Sequence, residues 1–110
     1  IGSRFIHIST DHLFRGNKSN VTEDEPIDPI NVYGRTKAEA ETVVLNSGVD
    51  SWIIRTNFYG RGLSWRPSFS DWIIESLKKG NQLRLFNDVY FTPLLVDSLC
   101  SKIEEGIDLN

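Results

Sequence analysis

Tyr33 and Lys37 stand four residues apart where the sequence turns helical, and Ser9 and Thr10 close an apolar, β-rich segment upstream. A phenol can give or take a proton, a nearby ammonium favours the phenolate, and a hydroxyl can orient a carbonyl or alcohol oxygen. Brought to one point, the three would serve proton transfer to such an oxygen while a hydride moves on or off the attached carbon. Spacing of i, i+4 puts Tyr33 and Lys37 on one helical face, with Lys37 one turn deeper. Taken alone, Tyr-x-x-x-Lys is a common accident of composition, and a packed tyrosine with a solvated lysine accounts for it equally well. Placement separates the two readings.

The elements that must do the positioning follow in order. Arg4-Phe5-Ile6-His7-Ile8-Ser9 is short and apolar with little alternation, which suits a strand buried on both faces of a parallel sheet, with His7 packed inside it. Residues 11–32 are polar and irregular, punctuated by Gly16, Pro26 and Pro29, and a loop of that length tends to be functional. A helix is expected from Gly34 to Leu45, stopped at Asn46-Ser47-Gly48, and a second strand over residues 51–56. Strand, loop, helix and strand is the order of a right-handed βαβ crossover. Ligands of open α/β sheets bind outside the carboxyl ends of the strands, where Thr10 would lie. Farther on, a Gly- and aromatic-rich loop leads to a helix over 68–79, with Phe69, Trp72, Ile73 and Leu77 on one face and Gly80 as its end. A short strand over 82–86 and a last helix over 94–105, carrying Leu95, Leu99 and Ile103, complete the pattern.

Composition narrows the classes. A net charge of −3 without a basic stripe argues against a nucleic-acid partner. No apolar run approaches the roughly 20 residues that a membrane span requires. The single cysteine, Cys100, excludes an intrachain disulfide, fits a reducing, cytoplasmic setting, and reads as a small core residue of the last helix. Without a Cys/His cluster there is no case for a metal. At 110 residues the chain is at most one domain, and both ends look cut through structure, so a piece of a larger protein is expected.

Ile8-Ser9-Thr10-Asp11-His12-Leu13-Phe14, Glu25-Pro26 and Pro29-Ile30-Asn31-Val32-Tyr33-Gly34-Arg35-Thr36-Lys37 together resemble the extended short-chain dehydrogenase/reductase superfamily. Within it the nearest likeness is to the dTDP-4-dehydrorhamnose reductase branch, which residues 54–60 and 86–93 also resemble. That resemblance implies an α/β fold in which residues 1–56 form the C-terminal part of a Rossmann-type parallel sheet with its helices. Residues 57–110 would then be mostly part of a smaller substrate-binding portion. It implies NAD(P)H-dependent reduction of a 4-keto-6-deoxy sugar nucleotide. Tyr33 would be the general acid, Lys37 its tuner and a holder of the cofactor ribose, and Thr10 the group that orients the keto oxygen, with Ser9 the competing assignment. Ser9, Thr56 and Asn57 would join Tyr33 and Lys37 on the cofactor side, and Asp11, His12, Phe58 and Arg61 would face the substrate.

Some positions depart from the branch. His12 stands where a tyrosine is usual, Phe58 where tryptophan is frequent, and Tyr90-Phe91 in a loop that is usually glycine-rich, so the implied pocket is similar but not identical. Asp11 has a plainer reading as an Asx turn closing the strand. Arg61, Trp65 and Arg66 suit a nucleotide diphosphate, because guanidinium forks pair with phosphate, or else form a surface loop. The glycine-rich dinucleotide turn of the family does not occur: Gly60-Arg61-Gly62 lacks a third glycine and follows the wrong strand. Hence NAD and NADP are not distinguished, and the segment alone is not expected to be a competent enzyme. An epimerase or dehydratase of the same superfamily is an alternative, for which Asp11 matches a dehydratase acid but His12 does not match its usual glutamate. A non-catalytic relative serving as a regulatory subunit is another. The partners expected are the sugar nucleotide and, for the full-length protein, a second copy of itself.

Overall fold

The computed structural model describes residues 3–108, and its contacts divide the chain into two units, one ending at Thr56 and the other beginning at Asn57. In the first, β1 (Phe5–Thr10) and β2 (Ser51–Thr56) pair in parallel, from Phe5 opposite Ser51 to Thr10 opposite Thr56. Parallel neighbours need a crossover, which α1 (Val32–Asn46) supplies. Two isoleucines, a threonine and one aromatic (Phe5 or Trp52) occur in each strand, residues whose side chains pack well on a pleated surface. Along β1 burial rises from exposed Phe5 to buried Ser9 and Thr10. The strand therefore ends inside the fold.

A 3-10 turn, Asp11–Leu13, follows at once, inside the stretch that reads as loop in the sequence. Thr10 caps it, its Oγ1 accepting from the His12 N–H at 3.2 Å. Leu13 is fully buried, and its carbonyl accepts from the Asp28 N–H at 2.8 Å. The loop thus returns beside its own start, and ion pairs of Arg15 with Asp28 and Lys18 with Glu25 tie it to itself.

Helix α1 begins at Val32, two residues earlier than the sequence suggests. Asn31 is the reason. Its extended backbone and side-chain oxygen, which accepts from the Gly34 N–H at 2.7 Å, make it the N-cap, so Tyr33 and Gly34 both fall in the first turn. A Cβ on buried Gly34 would collide with the His12 carbonyl oxygen and lie 2.9 Å from the Pro29 Cβ. The helix start comes this near the 3-10 turn because position 34 has no side chain.

In the second unit, β3 (Phe58–Tyr59) and β4 (Leu94–Leu95) pair in parallel, and the Leu94 N–H donates to the Asn57 carbonyl at 2.9 Å. A capping box of Ser68 and Asp71 starts α2 (Phe69–Lys78). Its end is a Schellman turn: Gly80 adopts φ 69°, the Gly80 N–H meets the Leu77 carbonyl at 3.0 Å, and the Asn81 N–H meets that of Ser76 at 2.9 Å. Phe69 and Trp72 stack with ring centroids 5.6 Å apart on a largely exposed face. Helix α3 (Val96–Asp108) buries Leu99 and partly buries Ile103.

Three expectations need correction. The strand over 82–86 does not form: the segment is irregular, Leu85 and Phe86 are exposed, and among the described residues no strand lies beside it to complete a ladder. The last helix starts at Val96 rather than Leu94, since Leu94 and Leu95 are taken up by pairing with β3. Cys100 is exposed rather than in the core, because Leu99 holds the buried position and the helix turns about 100° per residue.

Candidate active site

The first unit brings the strand end and the helix start together. Tyr33, 54% exposed, meets the His12 ring edge-on, with centroids 5.5 Å apart and planes at 85°. One turn along the helix, Lys37 Nζ donates to the Ile8 carbonyl at 2.6 Å. The phenol therefore sits beside the turn that follows Thr10, and the ammonium is anchored on the strand two residues before it. Since an ammonium has three donors and spends one on this carbonyl, it keeps others for a ligand.

Thr10 is buried, and its hydroxyl is already engaged: it accepts from the His12 N–H and lies 3.4 Å from Asp11 Oδ1, to which it donates. Asp11 Oδ1 also stands 4.0 Å from His12 Nε2. Ser9 lies on the opposite face of β1 from Thr10, as alternation requires. Its hydroxyl is buried with no well-formed hydrogen bond and sits near the Glu41 carboxylate, whose charge it favours. Thr56, partly buried, is paired in register with Thr10. Asn57, Phe58 and Arg61 belong to the second unit. There the Asn57 carbonyl accepts from Leu94, Phe58 lies exposed in β3, and the Arg61 charge acts on Asp71.

Beneath the site lies an ion pair that the sequence reading missed. Glu41, only 3% exposed, takes hydrogen bonds from Arg55 Nε at 3.1 and 3.2 Å and from Nη2 at 2.8 Å. Arg55 Nη1 donates to the Glu23 carbonyl at 3.1 Å, and its guanidinium lies 5.7 Å from the centre of the Phe14 ring. One side chain thus ties β2, α1 and two points of the long loop. Burial pushes the Glu41 carboxyl up, but the hydrogen bonds from Arg55, helped by the nearby Ser9 hydroxyl, outweigh it and hold it below its ordinary value. The bond to Glu41 in turn raises Arg55. The signal was an arginine within an otherwise apolar strand, since a charge placed there needs a partner. Asn31 was missed as well, although an asparagine just before a helical run is a capping signal.

A family model described as RmlD substrate binding domain matches residues 1–108. Among curated proteins, the chain is similar to the probable low-salt glycan biosynthesis reductase Agl14 of Haloferax volcanii, 37% identical over 109 residues, covering 94% of the chain and 36% of that protein. It is similar to a dTDP-4-dehydrorhamnose reductase of Burkholderia thailandensis, 30% identical over 102 residues, covering 90% of the chain and 33% of the relative. A shorter likeness, 36% identical over 55 residues, joins half of the chain (50%) to 16% of methionine adenosyltransferase 2 subunit beta of Rattus norvegicus. The chain spans about a third of the length of the first two relatives. No solved structure matches it.

Proposed function

The chain belongs to the RmlD substrate binding domain family, and on that premise we propose that the full-length protein reduces a 4-keto-6-deoxy sugar nucleotide with a nicotinamide cofactor. The observation that carries this reading is the exposed Tyr33 phenol at a helix start beside the end of β1, with the Lys37 ammonium anchored one turn below it. The names of two relatives, a glycan biosynthesis reductase and a dTDP-4-dehydrorhamnose reductase, support the same class.

The residues present fit the reacting end of such a cofactor. Lys37 keeps donors for ribose hydroxyls, and the phenol is open to a ligand. The bound nicotinamide would supply a hydride to the keto carbon. Tyr33 would give its proton to the keto oxygen, and the Lys37 charge would favour the phenolate left behind. Thr10, held by its contacts to His12 and Asp11, can accept one more hydrogen bond or turn its own hydrogen to that oxygen. In the first unit Asp11 is a substrate-side candidate and Thr56 a cofactor-side one; Phe58 and Arg61 are substrate-side candidates of the second unit, and Asn57 a cofactor-side one. Asp11 remains compatible with a dehydratase, but no observation favours that reading.

The test is oxidation of NADPH or NADH by the full-length protein given a 4-keto-6-deoxy sugar nucleotide. Tyr33→Phe is expected to lower turnover by about 10²- to 10⁴-fold, the usual weight of a positioned acid. Turnover unchanged by Tyr33→Phe would remove the acid assignment. One observation favours a second reading: the similarity of half the chain to a protein named as a subunit of methionine adenosyltransferase. Cofactor binding without turnover across a panel of sugar nucleotides would support a non-catalytic subunit.

A further inference from the structure

His12 has no part in the proton transfer just described, yet its half-exposed ring has a neighbour on each of three sides. The Gly34 backbone N–H can only donate, so the Asn31 side-chain atom that caps it at 2.7 Å must be the oxygen. The Asn31 atom facing His12 Nδ1, at 3.4 Å, is therefore the amide nitrogen. An amide NH₂ donates and does not accept, so Nδ1 must be the bare acceptor and the neutral imidazole carries its hydrogen on Nε2. Asp11 Oδ1, 4.0 Å from Nε2, stands on the side that this hydrogen favours. The third side is the edge-on contact with Tyr33. Tyr33 is half exposed, and among the described residues this ring is the aromatic neighbour it meets.

We propose that His12 is a positioning residue for the reaction: the N-cap of α1 selects its Nε2–H tautomer and fixes its ring, and the ring in turn fixes the aim of the Tyr33 phenol. The cap of the helix and the setting of the phenol are then one device, because the same Asn31 amide serves both. The inference rests on the reading of Tyr33 as the acid, and it differs from the expectation that His12 contacts the substrate.

Asn31→Asp separates cap from tautomer. Aspartate caps as well as asparagine does, but it presents a second oxygen to Nδ1 in place of a donor. In full-length protein labelled at histidine, the ¹⁵N shifts of His12 at mildly alkaline pH are expected to report Nε2–H in the wild type. In Asn31→Asp they are expected to report a hydrogen on Nδ1. Turnover of the 4-keto sugar nucleotide should fall on the order of tenfold in Asn31→Asp and in His12→Asn, with KM unchanged, as for a misaimed reacting group. An Nδ1–H tautomer in the wild type would overturn the proposal. So would a rise in KM at unchanged kcat in His12→Asn, which would mark a substrate contact. The ¹⁵N measurement needs no substrate, so it decides the tautomer even if Tyr33→Phe retains activity and the acid assignment falls.

Discussion

The two units hold themselves together by different means. In the first, the bonds that matter reach far along the chain: Glu41 to Arg55, Arg55 to the Glu23 carbonyl, and Lys37 to the Ile8 carbonyl, 29 residues away. Its buried side chains are largely polar: Glu41 lies in that network, Thr10 caps the 3-10 turn and Ser9 sits near Glu41, with Leu13 as the fully buried apolar side chain. In the second, many of the strongest bonds are local, as in the Ser68/Asp71 box and the Gly80 turn, while Phe58, Trp65, Phe86 and Tyr90 stay exposed. The proposed role of Tyr33 calls for the first kind of support, since local bonds fix an element but not its distance from another. Cutting one bond should therefore do far more damage in the first unit than in the second.

The largest effect is expected from Glu41→Ala. Leaving the Arg55 guanidinium without its partner should lower the unfolding free energy of the full-length protein by about 3–5 kcal/mol. Replacing both residues by methionine should cost much less than either single change, because no charge is then stranded. Denaturant unfolding of the three variants measures this, and a loss below about 1 kcal/mol in Glu41→Ala would erase the contrast between the units.

Acid should act in the same direction. The folded-state value of Glu41 is lowered, so its contribution to stability is complete above the ordinary glutamate range. It is lost as pH falls through that range to the folded value. The Asp71 carboxyl is also lowered, chiefly by the Ser68 and Gly62 backbone N–H groups, and carries the same sign. Less buried than Glu41 and held by local donors, it should weigh less. Unfolding followed from pH 7 to about pH 3 should thus lose most of its acid dependence in the double methionine variant and keep most of it in Asp71→Asn. The smallest change is Ser68→Ala, where loss of one cap should cost about 1 kcal/mol by thermal unfolding. A cost as large as that of Glu41→Ala would show that local bonds carry the second unit's tertiary structure too.

The parallel strand pair and the helix between them were legible because apolar, β-rich runs and a 3.6-residue pattern are local signals. Residues 51–56 were read to the residue. The misread segments depend on neighbours. A strand over 82–86 needs a ladder partner that its own sequence cannot supply, and Cys100 is exposed by which face of α3 is buried, not by its residue type. The site divides the same way. The Tyr33/Lys37 spacing could be read, but not the Ile8 carbonyl that Lys37 grips, nor the pairing of Glu41 with Arg55, since no periodicity encodes such partners.

Gly34 carries a consequence of another kind. It has no functional group to lose, yet an added methyl would have to displace the His12 carbonyl or lift the helix start away from the turn. It acts as a shim of zero thickness between the 3-10 turn and the helix start that carries Tyr33. A mutational screen scored on folding or activity would therefore rank it with side chains such as Tyr33 and Lys37, and the same position scored on chemistry would look empty.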